Sequence, residues 1–192
     1  MLIKSLKELR YYIRSDAYRY IGGGNCLKIC SLRYSTIGFR YTYWMRVCAY
    51  LRHSALLYPL YLIAHFHLKR LSYKSGIQIP YFTEIGPGFY IGHFGTIVIN
   101  GEAKLGKNVN ISPGVNIGMA NRGANKGVPV FGNEVYIGPG AKIIGRINIG
   151  NNVAIGANAV VTKDIPDNAC VGGVPAKVLS MDGTESYVNN KI

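Results

Sequence analysis

The chain has 192 residues, which is enough for one domain with an appendage and too short for a multidomain assembly. Hydrophobic residues make up 48% of it and charged residues 16%, so it can bury enough apolar surface to fold, and we do not expect a disordered chain. The formal net charge is +13, from 22 Lys and Arg against nine Asp and Glu.

Cysteine content and hydropathy indicate a compartment. The four cysteines are too few and too unevenly spread for a disulfide scaffold, and no Cys-x-x-Cys pair could hold zinc. The N-terminus lacks the apolar core of a signal peptide, and the longest apolar run, residues 55–66, is about half of a bilayer crossing. We expect a reduced, cytoplasmic protein with no transmembrane segment and no bound metal.

The positive charge is concentrated in the N-terminal part. Residues 1–80 carry thirteen Lys and Arg against Glu8 and Asp16, a net charge of +11, whereas residues 81–192 carry nine against seven. Eleven of the 15 tyrosines also precede residue 81. We interpret residues 1–75 as a basic, aromatic-rich helical region whose apolar side chains pack and whose cations stay in solvent. Peripheral contact with the inner face of the cell membrane is the second interpretation, because each Lys or Arg adds ~1 kcal/mol near an anionic bilayer; no nucleic-acid partner is expected.

From residue 79 onward the aliphatic residues repeat with a period of six, which neither a helix nor an ordinary strand produces. A second aliphatic residue follows two positions after most members, and glycine and asparagine occupy the intervening turns. This pattern is typical of a parallel β-helix of about five coils, each built from three hexads. The members of the repeat are Ile79, Ile85, Ile91, Ile97, Ala103, Val109, Val115, Val135, Ala141, Ile147, Val153, Ala159, Ile165 and Val171.

One segment interrupts the repeat. Fourteen residues separate Val115 from the next position in phase, Pro129, and the intervening stretch is rich in glycine and basic. Residues 118–128 therefore form an extruded loop. On a rigid stack such a loop is either a ligand-binding element or a surface loop without a binding role. The predicted organisation is a helical region over 1–75, a β-helix over 76–178 and a C-terminal tail over 179–192.

The sequence resembles the hexapeptide-repeat acyltransferases, and among them the serine acetyltransferase-like group. The resemblance rests on the hexads, the segment 91–99 around His93, the extruded loop and the closing Gly173-Val174-Pro175-Ala176-Lys177. It implies a left-handed parallel β-helix, a homotrimer or a dimer of trimers, and acetyl-CoA bound between neighbouring subunits. Over residues 1–75 it is looser, through Arg14-Ser15-Asp16 and Trp44-Met45-Arg46-Val47.

His93 is the only histidine of the repeat region and matches the family's catalytic histidine. Acetyl transfer to a hydroxyl needs a base, and imidazole suits this at neutral pH. The same resemblance and the basic residues of the extruded loop indicate the remaining site residues. Gly118, Met119, Ala157, Asn158 and Lys177 are predicted to bind acetyl-CoA, and Asp16, Gly92, Asn121, Arg122 and Lys126 are predicted to bind the acceptor. Arg122 and Lys126 are suited either to a CoA phosphate or to an acidic sugar.

Three departures from the serine enzymes shape the predicted acceptor. The aspartate that pairs with the histidine is replaced by Gln78, which can orient the ring without stabilising imidazolium. Gly92 replaces the aspartate that holds the amino acid, and Gly127-Val128 replaces an Arg-His pair. Serine would lose both of its charged partners, so we predict a saccharide acceptor, with or without a lipid carrier, and the capsule and exopolysaccharide O-acetyltransferase branch.

Two alternatives stay open, and a further one is nearly excluded. A serine acetyltransferase is the second reading within the acyltransferases. A non-catalytic β-helix that serves assembly or binding is the other alternative, outside the enzymes. A zinc carbonic anhydrase on the same fold is nearly excluded, because the repeat region has one histidine where several metal ligands are required.

Overall fold

The structure is a computed structural model that describes residues 3–23 and 25–192. Within these two ranges, four helices come first. They are α1 (Leu6–Ile21), α2 (Cys26–Ser35), α3 (Ile37–Leu51) and α4 (Tyr58–Ser75). Ser5 and Asn25 start the first two helices, because each side chain accepts a hydrogen bond from a backbone N–H of the first turn. Helix α4 ends at Gly76, whose φ of 71° is the left-handed conformation that glycine adopts most readily.

Fifteen short strands follow the helices and form three sheets. The sheets have the orders β1-β4-β7-β10-β13, β11-β8-β5-β2 and β15-β14-β12-β9-β6-β3, and we call them sheets A, B and C. The strands are β1 (Ile77–Gln78), β2 (Glu84–Ile85), β3 (Tyr90–Ile91), β4 (Ile97–Ile99), β5 (Lys104–Leu105), β6 (Asn110–Ile111), β7 (Asn116–Gly118), β8 (Val130–Phe131), β9 (Tyr136–Ile137), β10 (Lys142–Ile144), β11 (Asn148–Ile149), β12 (Ala154–Ile155), β13 (Val160–Val161), β14 (Cys170–Gly172) and β15 (Lys177–Ser180).

The chain visits the three sheets in turn, so each coil adds one strand to each sheet. Neighbouring strands within a sheet are parallel, except that β15 runs antiparallel to β14. Sheet A has five strands, one from each coil, so the solenoid has five coils. This confirms the predicted parallel β-helix.

The six-residue period marks the interior of the solenoid. Every member of the predicted repeat is buried, and so are the companions two positions on. Stacked coils bring equivalent side chains together, as the register of Ile91 with Ile111 and of Ile111 with Ile137 shows. Hydrophobic burial along this column is the main source of the solenoid's stability.

The helices share the core of the solenoid. Tyr41, Met45 and Cys48 of α3 and Leu68 of α4 belong to the same buried cluster as the aliphatic stack. Gly38 permits this close approach, because a Cβ there would lie 2.1 Å from the Ile91 carbonyl oxygen. Burial raises the pKa of the Cys48 thiol to about 12.

The C-terminal segment, predicted as a tail over residues 179–192, packs along the solenoid. Strand β15 begins at Lys177 and pairs with β14, and beyond it Val188 is buried while Tyr187 stacks on Tyr136 at 4.6 Å between ring centroids. Arg19 of α1 donates to the Asn189 carbonyl oxygen at 2.9 Å. Backbone hydrogen bonds and ring stacking hold this segment, which hydropathy could not show.

Within residues 3–23 and 25–192, no helix combines the length and apolar character that a membrane crossing requires.

Candidate active site

His93 lies in an exposed turn between β3 and β4. The turn is shaped by Gly95, whose φ of 140° favours glycine and whose N–H donates to the Ser75 carbonyl oxygen at 3.0 Å. In the part of the chain that the structure describes, the imidazole makes no hydrogen bond. Both ring nitrogens are therefore open to a ligand that approaches from outside the solenoid.

The structure does not pair Gln78 with His93 through a hydrogen bond in the ranges that it describes. In β1, Gln78 is in register with Val98, five residues after the histidine. The glutamine instead lines a cavity of about 460 Å³ between α4 and sheet A. The orienting role of Gln78 stays a prediction.

The cavity next to Gln78 contains a polar group that the sequence analysis missed. Tyr61 bonds to His65 Nδ1 at 2.9 Å and donates to the Tyr81 hydroxyl at 3.1 Å. Burial, and then the charge of Lys69, lower the pKa of His65. No sequence signal marked this group, because Tyr81 is distant along the chain from the other two residues.

The extruded loop is a short hairpin. Ala120 and Gly127 exchange two backbone hydrogen bonds of 3.0 Å, and residues 121–126 project beyond them into solvent. Asn121, Arg122 and Lys126 are all exposed at this tip. The loop leaves the solenoid after β7 and re-enters before β8, as the interrupted period predicted.

Within one chain, the predicted site residues lie at two different edges of sheet A. His93, Ala157 and Asn158 stand in turns that precede strands of this sheet, whereas Gly118, Met119 and the loop stand where β7 ends. Because the strands are parallel, these are opposite edges, and the three residues of a strand separate them by about 10 Å. One chain therefore does not gather all of these residues around a single point.

At the edge of sheet A that carries His93, the turns of successive coils stack on one another. Gly95 lies against Pro113, Gly114 against Gly140, and Gly140 against Asn158. Asn158 is thus three coils from the His93 turn, or about 14 Å at the usual spacing of strands. Ala157 and Asn158 are exposed, and Lys177 is exposed at the start of β15. An extended ligand along this edge would pass from the Asn158 turn to His93.

Asp16 is not available to a ligand, which corrects its predicted role in acceptor binding. Its carboxylate is 1% exposed and accepts from Arg46 at 2.9 and 3.2 Å and from the Phe89 N–H at 2.8 Å. Burial raises the pKa of Asp16, and Arg46 opposes that rise. Arg46 also donates to the carbonyl oxygens of Ile85 and Gly86 at 2.8 and 2.7 Å. The pair joins α1 and α3 to the solenoid.

Arg146 is a cation at the loop base that the sequence analysis did not single out. A Cβ on Gly127 would lie 3.0 Å from the Arg146 Cβ, and the Arg146 N–H donates to the Asn125 carbonyl oxygen at 2.9 Å. The side chain is exposed. The aliphatic part of the Arg146 side chain thus lies beside Gly127, where the basic pair is expected, although Arg146 is nineteen positions further along the chain. The only feature of the sequence that points to this cation is an isolated arginine after a glycine of the solenoid, Gly145-Arg146.

No metal centre is visible in the described ranges, 3–23 and 25–192, where no three His, Cys, Asp or Glu side chains come together. The cysteines Cys26, Cys30, Cys48 and Cys170 are all free.

Comparisons with known proteins give the class that this fold and site define. The model of the bacterial transferase hexapeptide family (six repeats) matches residues 129–163. The serine acetyltransferase of Helicobacter pylori is 35% identical over 136 residues, which cover 71% of this chain and 80% of that protein. The chain is therefore a hexapeptide-repeat enzyme, an acetyl-CoA-dependent acyltransferase.

The solved structures that resemble this chain include serine acetyltransferases, as does the sequence comparison. The serine acetyltransferase of Brucella abortus superposes with a TM-score of 0.76 at 26% identity, covering 92% of this chain and 71% of that one. The Neisseria gonorrhoeae serine acetyltransferase in complex with serine superposes with a TM-score of 0.71 at 30% identity, with the same coverage. The chain belongs to the serine acetyltransferase family.

These comparisons overturn the predicted acceptor. The relative and both structures are serine acetyltransferases, so the saccharide acceptor, the link to polysaccharide biosynthesis and the capsule branch are wrong. The error came from treating Gly92 and Gly127-Val128 as the loss of all charged partners. Arg146 stands beside Gly127, so charge at that position need not come from the aligned residue.

Proposed function

We propose that the protein is a serine O-acetyltransferase that uses acetyl-CoA as donor and works in the cytoplasm. The observation that carries this proposal is the 35% identity to the Helicobacter pylori enzyme across 80% of its length. The structural likeness to a serine acetyltransferase in complex with serine supports the same acceptor. The free cysteines are consistent with a reducing compartment.

In the proposed reaction His93 is the general base. It takes the proton of the serine hydroxyl while the hydroxyl oxygen attacks the thioester carbonyl carbon. The C–S bond then breaks, the CoA sulfur takes the proton from the imidazolium, and the products are O-acetylserine and CoA. The exposure of His93 and its lack of an internal hydrogen bond among the described residues leave a ring nitrogen available for this transfer.

We propose that cations at the edge of sheet A where β7 ends, next to the extruded loop, hold the serine carboxylate. Arg146, Arg122 and Lys126 are exposed at the loop and its base. Guanidinium pairs with carboxylate through two parallel hydrogen bonds, which makes Arg146 the preferred partner. Gly118 and Met119 at the same edge, and Ala157, Asn158 and Lys177 near the other, remain the residues proposed to contact acetyl-CoA.

A direct test measures thiol release from acetyl-CoA with different acceptors. Serine should be turned over well above the rate of hydrolysis, and serine amide should react about 10–100-fold less efficiently, because a charged hydrogen bond contributes roughly 1.5–3 kcal/mol. Thiol release that serine does not stimulate would refute the proposed acceptor. Equal rates with serine and serine amide would refute the carboxylate contact alone.

We further propose that the working enzyme is a trimer whose site forms between subunits. His93 and the loop occupy opposite edges of sheet A, so the loop edge of one subunit must meet the His93 edge of a neighbour to complete the site. A cyclic trimer brings such unlike edges together at each of its interfaces.

Co-expression of two inactive variants tests this arrangement. One carries His93→Ala, and the other carries Arg122→Ala, Lys126→Ala and Arg146→Ala. In randomly mixed trimers an intact site forms when each variant contributes its unaltered edge, so activity should return to about one quarter of the wild-type value. Mixed trimers isolated with two affinity tags, yet as inactive as either parent, would show that the site lies within one chain.

A further inference from the structure

Helix α4 exposes an apolar and basic stripe along one side. Its members recur every three or four residues and so lie along one side of the helix: Leu60, Ile63, His67, Arg70 and Lys74. Ile63 is 58% exposed, and Phe66 next to it is 64% exposed. The side of the helix that carries Ala64 and Leu68 is occupied, because both residues are buried in the core.

Ring contacts extend this stripe across α3 to α2. His67 stacks on Trp44 with 5.1 Å between centroids, and Trp44 meets the edge of Tyr43 at 5.5 Å. The guanidinium of Arg33 lies 5.1 Å from the centre of the Tyr43 ring. We call the stripe, Phe66 and these three residues the helical face. It is a continuous surface of apolar, aromatic and cationic groups.

The helical face lies in a stretch of the chain without carboxylates. Residues 17–83 contain nine Lys and Arg and no Asp or Glu. The acidic residues that flank the stretch are both engaged, Asp16 with buried Arg46 and Glu84 with Lys104 at 3.1 Å. The potential over this surface is therefore positive, and its natural complement is anionic.

We propose that the helical face docks on the surface of an anionic lipid bilayer. Ile63 and Phe66 would enter the boundary between headgroups and acyl chains, while Arg70 and Lys74 meet lipid phosphates, as in helices that lie in the membrane plane. Tryptophan and tyrosine are enriched at this depth, which fits Trp44 and Tyr43. The chemistry of acetyl transfer is independent of this surface, so neither proposal rests on the other.

A second copy of the chain is a poorer occupant than lipid. Two helical faces packed together would place Arg70 and Lys74 of each copy against cations of the other, with no carboxylate in residues 17–83 to compensate. An anionic bilayer satisfies the apolar and the cationic groups at once.

Flotation with vesicles tests the proposal on the full chain. We expect binding to phosphatidylcholine vesicles that contain phosphatidylglycerol, little binding to phosphatidylcholine alone, and a decrease with added salt. Arg70→Gln with Lys74→Gln should lower the partition coefficient about 25-fold, or fivefold for each cation removed. Ile63→Ser with Phe66→Ser should lower it at least about tenfold.

A matched variant controls for net charge. Lys107→Gln with Lys163→Gln removes two exposed cations from the solenoid and should leave vesicle binding unchanged. An equal loss in both double variants, or equal binding to the two kinds of vesicle, would overturn the proposal. It would also be overturned if sedimentation without lipid revealed an assembly that Ile63→Ser with Phe66→Ser dissolves, because a second copy would then be the occupant. Thiol release measured without vesicles keeps this outcome separate from the enzyme assay.

Discussion

Replacing His93 with alanine should lower the rate of serine acetylation by about 10²–10⁴, which is the usual contribution of a positioned general base. The imidazole is exposed and makes no hydrogen bond among the described residues, so its removal leaves no buried group unsatisfied. The melting temperature and the affinity for acetyl-CoA should therefore stay close to wild type. Thiol release at saturating acetyl-CoA measures the rate, and calorimetric titration measures donor affinity.

His53→Ala is the matched control for this experiment. His53 is also exposed, but it lies between α3 and α4 rather than at the proposed site. Its replacement should leave turnover unchanged. Turnover by His93→Ala within a few-fold of wild type would end the proposed mechanism, and equal losses in both variants would indicate a nonspecific effect.

Replacing Arg46 with leucine should destabilise the protein by about 3–5 kcal/mol, because it leaves the buried Asp16 carboxylate without its partner. The carbonyl oxygens of Ile85 and Gly86 would lose their donors as well. For a chain of this size the loss corresponds to a fall in melting temperature of roughly 6–20 °C. Thermal unfolding at fixed protein concentration measures it.

Two comparisons make this prediction specific. Arg10→Leu removes an exposed cation of α1 and should change the melting temperature little. Adding Asp16→Asn to Arg46→Leu should recover part of the lost stability, since the uncompensated charge is then absent. A melting temperature of Arg46→Leu equal to that of wild type would show that the pair does not hold the helices to the solenoid.

The sequence by itself predicted the solenoid well, for a physical reason. A residue that points into a narrow triangular interior must be aliphatic in every coil, so the constraint repeats every six residues and can be read along the chain. The same reasoning located the extruded loop, because a hydrophilic insertion breaks the phase where the chain leaves the stack. His93 was found as the only histidine of this region and by its resemblance to a known motif, and its role remains a prediction.

Contacts between distant parts of the chain were decided by tertiary structure alone. Asp16 was interpreted as a ligand-binding acid, whereas folding places it against Arg46 and Phe89, thirty and more residues away. Arg146 reaches Gly127 only because neighbouring coils stack. The separation of His93 from the loop likewise follows from the direction of parallel strands. Periodic burial is written locally in the sequence, whereas the partners of a charged side chain depend on which segments folding brings together.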